Sequence, residues 1–327
     1  MRAIGRLRTC VVALTALGAG YALPAQAIAQ PYPLRPVTVV VPFAAGGNTD
    51  NIARIVAQNF SETLGQQFIV EDRPGAAGAI AAESVARAAA DGYTLFMATV
   101  PQIAIVPAMH KVRYEPKDFA PISAIGTNPF VLAVNKDAPV RTIAEFISYV
   151  RAQPQKLSYG SGGVGSLNHL SMALFLKRAG LDMIHVSYKG NAPAMTDLVA
   201  GHVPVLLSTL SDALPYAAGG AIRLIGVSSD RRAPQIPSVP TIAESGFPGF
   251  RTLTWNGLLA PAGTPDDVVA RLAKASAAAV KDPKLSERLA NLGVDPLGNS
   301  PDEFAAMISA DIAFWSEAVK IAGVGAQ

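Results

Sequence analysis

Two glycine-rich turns hold the residues best suited to chemistry: Pro42-Phe43-Ala44-Ala45-Gly46-Gly47-Asn48-Thr49-Asp50 and Tyr159-Gly160-Ser161-Gly162-Gly163-Val164-Gly165-Ser166. Each follows a strand-like run and precedes a helical pattern, so each is expected to open a helix. A helix N-terminus carries unpaired N–H groups and the positive end of the macrodipole, and two of them facing one cleft bind an anion without lysine or arginine. Clustered glycines let a ligand approach the backbone as well as supplying positive φ. Ser161 and Ser166 add hydroxyl donors. Asp50 sits in the first helical turn, where it can cap N–H groups or orient the loop, while its charge opposes direct contact with an anion unless water intervenes. Arg54, one turn further, is expected to form only a surface ion pair with Asp50. Tyr188 ends a strand pointing toward the cleft edge, and the adjoining Lys189 reads equally as a solvated loop charge. His169, one turn into its helix, is expected to be packed and hydrogen-bonded rather than catalytic.

Other chemistries fit less well. Residues 160–165 match G-x-G-x-x-G between a strand and a helix, but a dinucleotide site needs an acid at the end of the next strand, and that strand ends in Tyr188-Lys189. Ser161 is flanked at two residues by Tyr159 and Gly163, so G-x-S-x-G is absent and no catalytic triad can be assigned. His110, His185 and His202 show no metal-ligand spacing with one another, so neither metal nor cofactor is expected. An exported nucleotide enzyme and a scaffold that binds protein through its cleft stand as the alternatives.

The elements that must hold these turns alternate. Residues 37–41 form a continuous β-branched run, as in a strand buried on both faces of a parallel sheet, and the helix after Asp50 places Ile52, Ile55, Val56, Phe60 and Leu64 on one face. Further strands are read at 68–70 and 93–97, with an alanine-rich helix between them after Gly78. Two short strands, 121–126 and 130–134, flank Thr127-Asn128-Pro129 and read as a crossing into a second lobe. There a helix at 143–152, strands at 157–159, 183–188, 203–207 and 222–227, and a helix at 193–200 repeat the pattern. A proline-rich passage over 234–248 leads to a return strand at 255–260. Thr264-Pro265-Asp266-Asp267 and Ser300-Pro301-Asp302-Glu303 each look like a helix start with a capping hydroxyl, proline first and acids in the first turn. The expected fold is α/β with two lobes, residues 30–127 with 251–327 and residues 128–250, with the two crossing strands as hinge.

Arg2, Arg6 and Arg8 precede a short apolar run, followed by Ala25-Gln26-Ala27 and Ala27-Ile28-Ala29, which reads as a signal peptide over residues 1–29 cut near Ala29. Its removal takes three of the 27 basic residues and none of the 24 acidic ones, turning a formal charge of +3 into zero. A neutral chain without a basic stripe argues against nucleic acid or an anionic membrane as partner. Cys10, the only cysteine, leaves with the tag, which excludes disulfides and thiol catalysis. A soluble, exported monomer is expected.

The order of motifs resembles one family. Val41-Pro42-Phe43-Ala44-Ala45-Gly46-Gly47 with Asp50 and Arg54, then Arg73-Pro74-Gly75-Ala76-Ala77-Gly78, Asp91-Gly92-Tyr93-Thr94-Leu95, the second glycine turn with His169, and Tyr188-Lys189-Gly190 with Pro193-Ala194 and Asp197-Leu198 are similar to the tripartite tricarboxylate transporter substrate-binding proteins, or Bug proteins. The resemblance covers nearly the whole mature chain. It implies a periplasmic binding protein of type II, a Venus flytrap that closes on a small carboxylate and passes it to membrane permease subunits or a sensor kinase, with no enzyme activity. It places the first ligand loop on Phe43, Ala44, Ala45, Gly46, Gly47 and Asp50, and the second on Ser161, Gly162, Gly163, Val164, Gly165 and Ser166, with His169 nearby. Thr99-Val100-Pro101-Gln102 departs from the small polar run of the family; Gln102 keeps an amide donor there, and Val100 and Pro101 add apolar wall.

Overall fold

The computed structural model describes residues 32–324, and the signal peptide read over residues 1–29 lies outside them. Strand β1 (Val37–Val41) leads through the first glycine turn to α1 (Asn48–Leu64), followed by β2 (Phe68–Asp72), α2 (Ala79–Ala86) and β3 (Thr94–Thr99). A π-helical turn (Pro101–Ile105) and the short α3 (Val106–Met109) precede β4 (Phe119–Asn135). Then come α4 (Ile143–Ala152), β5 (Ser158–Ser161), α5 (Leu167–Ala179), β6 (Ile184–Ser187), α6 (Asn191–Ala200), β7 (Val205–Thr209), α7 (Leu210–Ala218) and β8 (Ile222–Val227). The chain continues through β9 (Leu253–Pro261), α8 (Asp266–Ala279), α9 (Pro283–Asn291), β10 (Asp295–Pro296) and α10 (Pro301–Ile321).

The strands run in the order β2-β1-β3-β9-β4-β7-β5-β6, with β8 and β10 also paired to β4. Parallel pairing joins β1 to β2 and β3, and β5 to β6 and β7, whereas β9 and β4 are antiparallel to their neighbours. Parallel strands flanked by helices bury both faces, which is why β1 and β3 are continuously apolar. Their C-terminal ends are the places where such sheets take ligands.

The crossing differs from expectation. Instead of two short strands around residues 127–129, a single 17-residue strand, β4, runs through it. Its first part pairs with β9 as far as Pro129↔Leu253, and from Phe130 onward it pairs with β7 and β8. Pro129 therefore falls where the strand exchanges partners, and a proline is tolerated at such a ladder end. Register shifts after Pro121 and Ala124 supply the bend.

Elsewhere the sequence signals hold with small displacements. Gly65 ends α1 and Gly201 ends α6 in the left-handed conformation. Ser300 and Glu303 form a reciprocal capping box with Pro301 in the first turn of α10. The start of α8 is a correction: the Thr264 hydroxyl donates to Pro261 O at 2.8 Å, and Pro265 occupies the cap position without a side-chain bond. One core cluster runs from Phe96, Trp255 and Phe304 to Phe130, Leu170 and Phe175, so α10 and α5 share it across the crossing. A second cluster lies under α1, α8 and α9, and a third under α6 and α7.

Candidate functional site

The first loop is shaped by a buried carboxylate. Asp50 is 1% exposed, and its Oδ2 accepts the Gly46 N–H at 2.7 Å, which holds Gly46 at φ +83°. Arg54 Nε stands 2.8 Å from Asp50 Oδ1 and its other arm 2.9 Å from Asp72 Oδ2, so one guanidinium ties α1 to the end of β2. Burial opposes the charge on Asp50, but Arg54 and the Gly46 N–H outweigh it and hold the carboxyl below its ordinary range. Burial and the charge of Asp50 push Asp72 the other way. Arg54 makes the expected pair with Asp50 but not merely at the surface: the carboxylate it meets is buried, and it also holds Asp72. Gly47 caps α1 at φ −73°, an ordinary extended conformation, and contributes no side-chain bond. The α1 N-terminus is left to whatever acceptor approaches it.

The second loop is stitched to its own lobe. Ser166 caps α5, its Oγ accepting the His169 N–H at 3.3 Å. Ser161 is fully buried; its Oγ accepts the Gly163 N–H at 3.1 Å and lies 2.6 Å from His185 Nε2. The Gly165 N–H donates to His169 Nδ1 at 3.1 Å, and the Ser166 N–H to Gly163 O at 3.1 Å. Burial, reinforced by His185, pushes His169 down to about 4, and burial also lowers His185. Both imidazoles are therefore neutral at pH 7, as the acceptor role of Nδ1 requires. Gly163 and Gly165 have φ of +137° and +74°. Gly162 packs on the start of α6, where an added Cβ would meet Asn191 N at 3.2 Å.

Met109, at the end of α3, reaches the second loop from the β1–β3 side: a Cβ at Gly165 would overlap its Sδ and Cε. Phe43, 36% exposed, and Val164, 60% exposed, are the apolar side chains that the two loops present to solvent. Ala44 and Ala45 are exposed beside Phe43.

Besides Ser161, whose buried hydroxyl is turned to His185 and Gly163 rather than to the cleft as expected, three candidates are engaged elsewhere: Thr99, Gln102 and Tyr188. Gln102 is fully buried, accepting from Thr99 N at 3.0 Å and Thr99 Oγ1 at 2.8 Å and donating to Ala77 O at 3.1 Å. It braces the turn at Gly75-Ala76-Ala77-Gly78, where both alanines have positive φ, a conformation that persists only when its surroundings impose it. The Tyr188 hydroxyl donates to Asp197 Oδ2 at 2.7 Å, and burial together with Asp197 pushes it up to about 12.

Sequence reasoning passed over His185, Asn128, Asn191 and Asn256. Asn191 Nδ2 donates to Ser208 Oγ at 2.9 Å and Asp212 Oδ2 at 2.7 Å, joining the starts of α6 and α7. Asn128 on β4 and Asn256 on β9 are buried in the crossing, each with an amide oxygen that has no partner among the described residues. For Asn128 the available signal was a polar residue inside an apolar strand beside a proline. Among the described residues no cluster of three or more metal-ligating side chains occurs, and no helix is long and apolar enough to cross a membrane.

Comparison with known proteins decides the family. The profile of the family described as "Tripartite tricarboxylate transporter family receptor" matches residues 52–324. The chain belongs to this receptor family. BugT of Bordetella pertussis is 32% identical over 316 residues, covering 96% of both chains. An R. palustris protein solved with adipate superimposes with a TM-score of 0.82 at 38% identity, over 90% of this chain and 100% of that one. MatC from Rhodopseudomonas palustris with bound malate gives a TM-score of 0.76 at 34% identity, over 88% and 100%. The chain accordingly has the two-lobed α/β architecture of the periplasmic binding proteins in this receptor family.

Proposed function

We propose that this receptor family member captures a small mono- or dicarboxylate in the cleft between its lobes, with the α1 N-terminus as the principal anion grip. The observation that carries this reading is the start of α1. It opens on a glycine that makes no side-chain cap, in a loop whose shape is imposed from behind by Asp50. The relatives solved with adipate and with malate support the same ligand class. The donors are the first N–H groups of α1 and the exposed part of the second loop, with Phe43 and Val164 against the carbon skeleton. Charge-assisted bonds of this kind are the strong ones, so a methyl ester should bind worse than its acid by roughly 2 kcal/mol.

The lobes in this reading are residues 30–127 with 251–327 and residues 128–250, hinged on β4 and β9. The protein works in the periplasm as a binding protein without catalysis and as a monomer, delivering ligand to permease subunits or a sensor. A calorimetric screen of the mature chain against dicarboxylic, hydroxy and aromatic acids, their esters, sugars and amines tests the ligand class. Binding of the acids alone is expected. An ester binding as tightly as its acid, or exclusive binding of sugars or cations, overturns it. Small-angle scattering with saturating ligand should show contraction, and identical curves would remove the hinge.

A further inference from the structure

His185 and His169 come from different elements, β6 and α5, yet their rings stack at 3.9 Å between centroids with 8° between planes. Tyr159 of β5 continues the stack 5.1 Å from His185. Parallel register sets Tyr159 opposite His185 and Ser161 opposite Ser187, so the imidazole of β6 lies beside the last turn of β5. From this stack two bonds reach the loop. His185 Nε2 meets Ser161 Oγ, which accepts the Gly163 N–H and also lies 3.1 Å from Gly163 O, and His169 Nδ1 accepts the Gly165 N–H. The two amides on either side of Val164 are therefore tied inward, whereas the Val164 N–H finds no acceptor among the described residues and its side chain is exposed.

We propose that the stacked His169–His185 pair is a positioning device for the second loop, clamping the Gly163 and Gly165 amides so that the Val164 N–H between them is the loop's donor to an anion. This rests on the carboxylate reading above for its ligand, and on the hydrogen bonds alone for its geometry. The clamp explains why two histidines with no metal partner occupy an otherwise apolar stack: each supplies one nitrogen at a place where the loop needs a partner. A neutral imidazole has one donor and one acceptor nitrogen, so His169 must keep its proton on Nε2 to accept at Nδ1.

The test uses His185→Phe, which keeps an aromatic ring and loses the nitrogen, beside His185→Gln and His169→Asn, whose amides can restore a partner near Nε2 and Nδ1. Amide hydrogen exchange in the ligand-free protein gives the first readout. Ser161→Ala should speed exchange at Gly163 about tenfold or more, the scale of one lost hydrogen bond, and His185→Phe in the same direction by severalfold as Ser161 loses its brace, while His185→Gln and His169→Asn stay near wild type. Titration with adipate and with malate gives the second: the Val164 amide should move most within the loop, and His185→Phe should weaken binding about tenfold, with little further loss on adding Ser161→Ala. Unchanged exchange at Gly163 in His185→Phe overturns the clamp, as does binding in which Val164 is silent while Gly163 or Gly165 moves. If neither acid, nor any acid of the screen, binds wild type, the carboxylate reading fails, and the exchange data still decide the clamp. If His185→Phe does not fold, Ser161→Ala must speed exchange at Gly163 for the clamp to stand.

Discussion

The two glycine loops look alike in sequence and are built in opposite ways. The first has positive φ at one point, Gly46, and is held from behind by a single buried carboxylate, leaving α1 without a side-chain cap. The second has positive φ at Gly163 and Gly165, a serine cap on its helix, and three loop amides already bonded within it. An uncapped helix end with a preset loop leaves its first N–H groups open to an acceptor, whereas the cap on α5 and the bonds within the second loop leave that loop only the N–H groups that nothing ties inward. The same residue type at the same kind of junction thus leaves a whole helix end open in one loop and single amides in the other.

This contrast can be broken at its most constrained point. Gly165→Ala places a Cβ on the flexible end of Met109, which can move aside at small cost, as well as in a left-handed backbone, at roughly 1–2 kcal/mol for the backbone and ~0.5 for displacing Met109, so a loss of about 2 kcal/mol in urea unfolding is expected. Gly46→Ala meets the backbone penalty alone, because no heavy atom lies within 4 Å of the added Cβ. Equal losses at the two sites would erase the distinction.

A comparable effect should appear with pH. His169, with an ordinary value of 6.5 and about 4 in the fold, binds fewer protons folded than unfolded between those values. Its stabilisation is therefore complete above pH 6.5 and declines as pH falls toward 4, by on the order of 3 kcal/mol over the window. Asp50, held below 3.8, gives up its own contribution only at lower pH, but His185, also lowered by burial, contributes in the same window with the same sign, so His169 is isolated by the difference between wild type and His169→Asn. Urea titrations from pH 7.5 to 4.5 should show the slope in wild type and a flatter profile in His169→Asn; parallel profiles would contradict this origin.

Smaller changes sharpen the contrast. Arg54→Ala leaves the Asp50 carboxylate buried with only the Gly46 N–H, and after discounting for a half-exposed guanidinium the cost is about 1 kcal/mol. Adding Asp50→Asn should recover part of it, and a double variant worse than the sum would mean that Arg54 acts elsewhere. Ser166→Ala removes the α5 cap for a similar ~1 kcal/mol. Gly47→Ser does the reverse to α1: its extended φ accepts a serine, the cap adds only a few tenths of a kcal/mol, and the hydroxyl competes with ligand for the same N–H groups. A small rise in melting temperature with weaker carboxylate binding is expected, and tighter binding would show that the α1 end is not the grip.

Much of this was legible in the residues. The continuous β-branched run of β1, the apolar stripe of α1 and the Ser300/Glu303 box announce themselves locally, because period, propensity and capping are properties of neighbours in sequence. The crossing was legible as a place but not as a single strand, since Pro129 breaks the local pattern and only its partners, β9 on one side and β7 on the other, allow β4 to continue. Gln102 read as a donor to the cleft because its target, Ala77 O, is 25 residues away in sequence. The tie between Tyr188 and Asp197 spans only nine residues but joins the end of β6 to α6 across a turn, and His185 could be recognised only once β6 was laid beside β5.

The sequence by itself determined that two strand-to-helix turns would expose backbone donors, and the order of those turns and their flanking motifs determined the receptor family. Tertiary structure alone decided which donors remain free. That depends on side chains arriving from other elements, His185 beside Ser161 and Met109 against Gly165, and a hydrogen-bonding group is satisfied or left open by what packs on it in space.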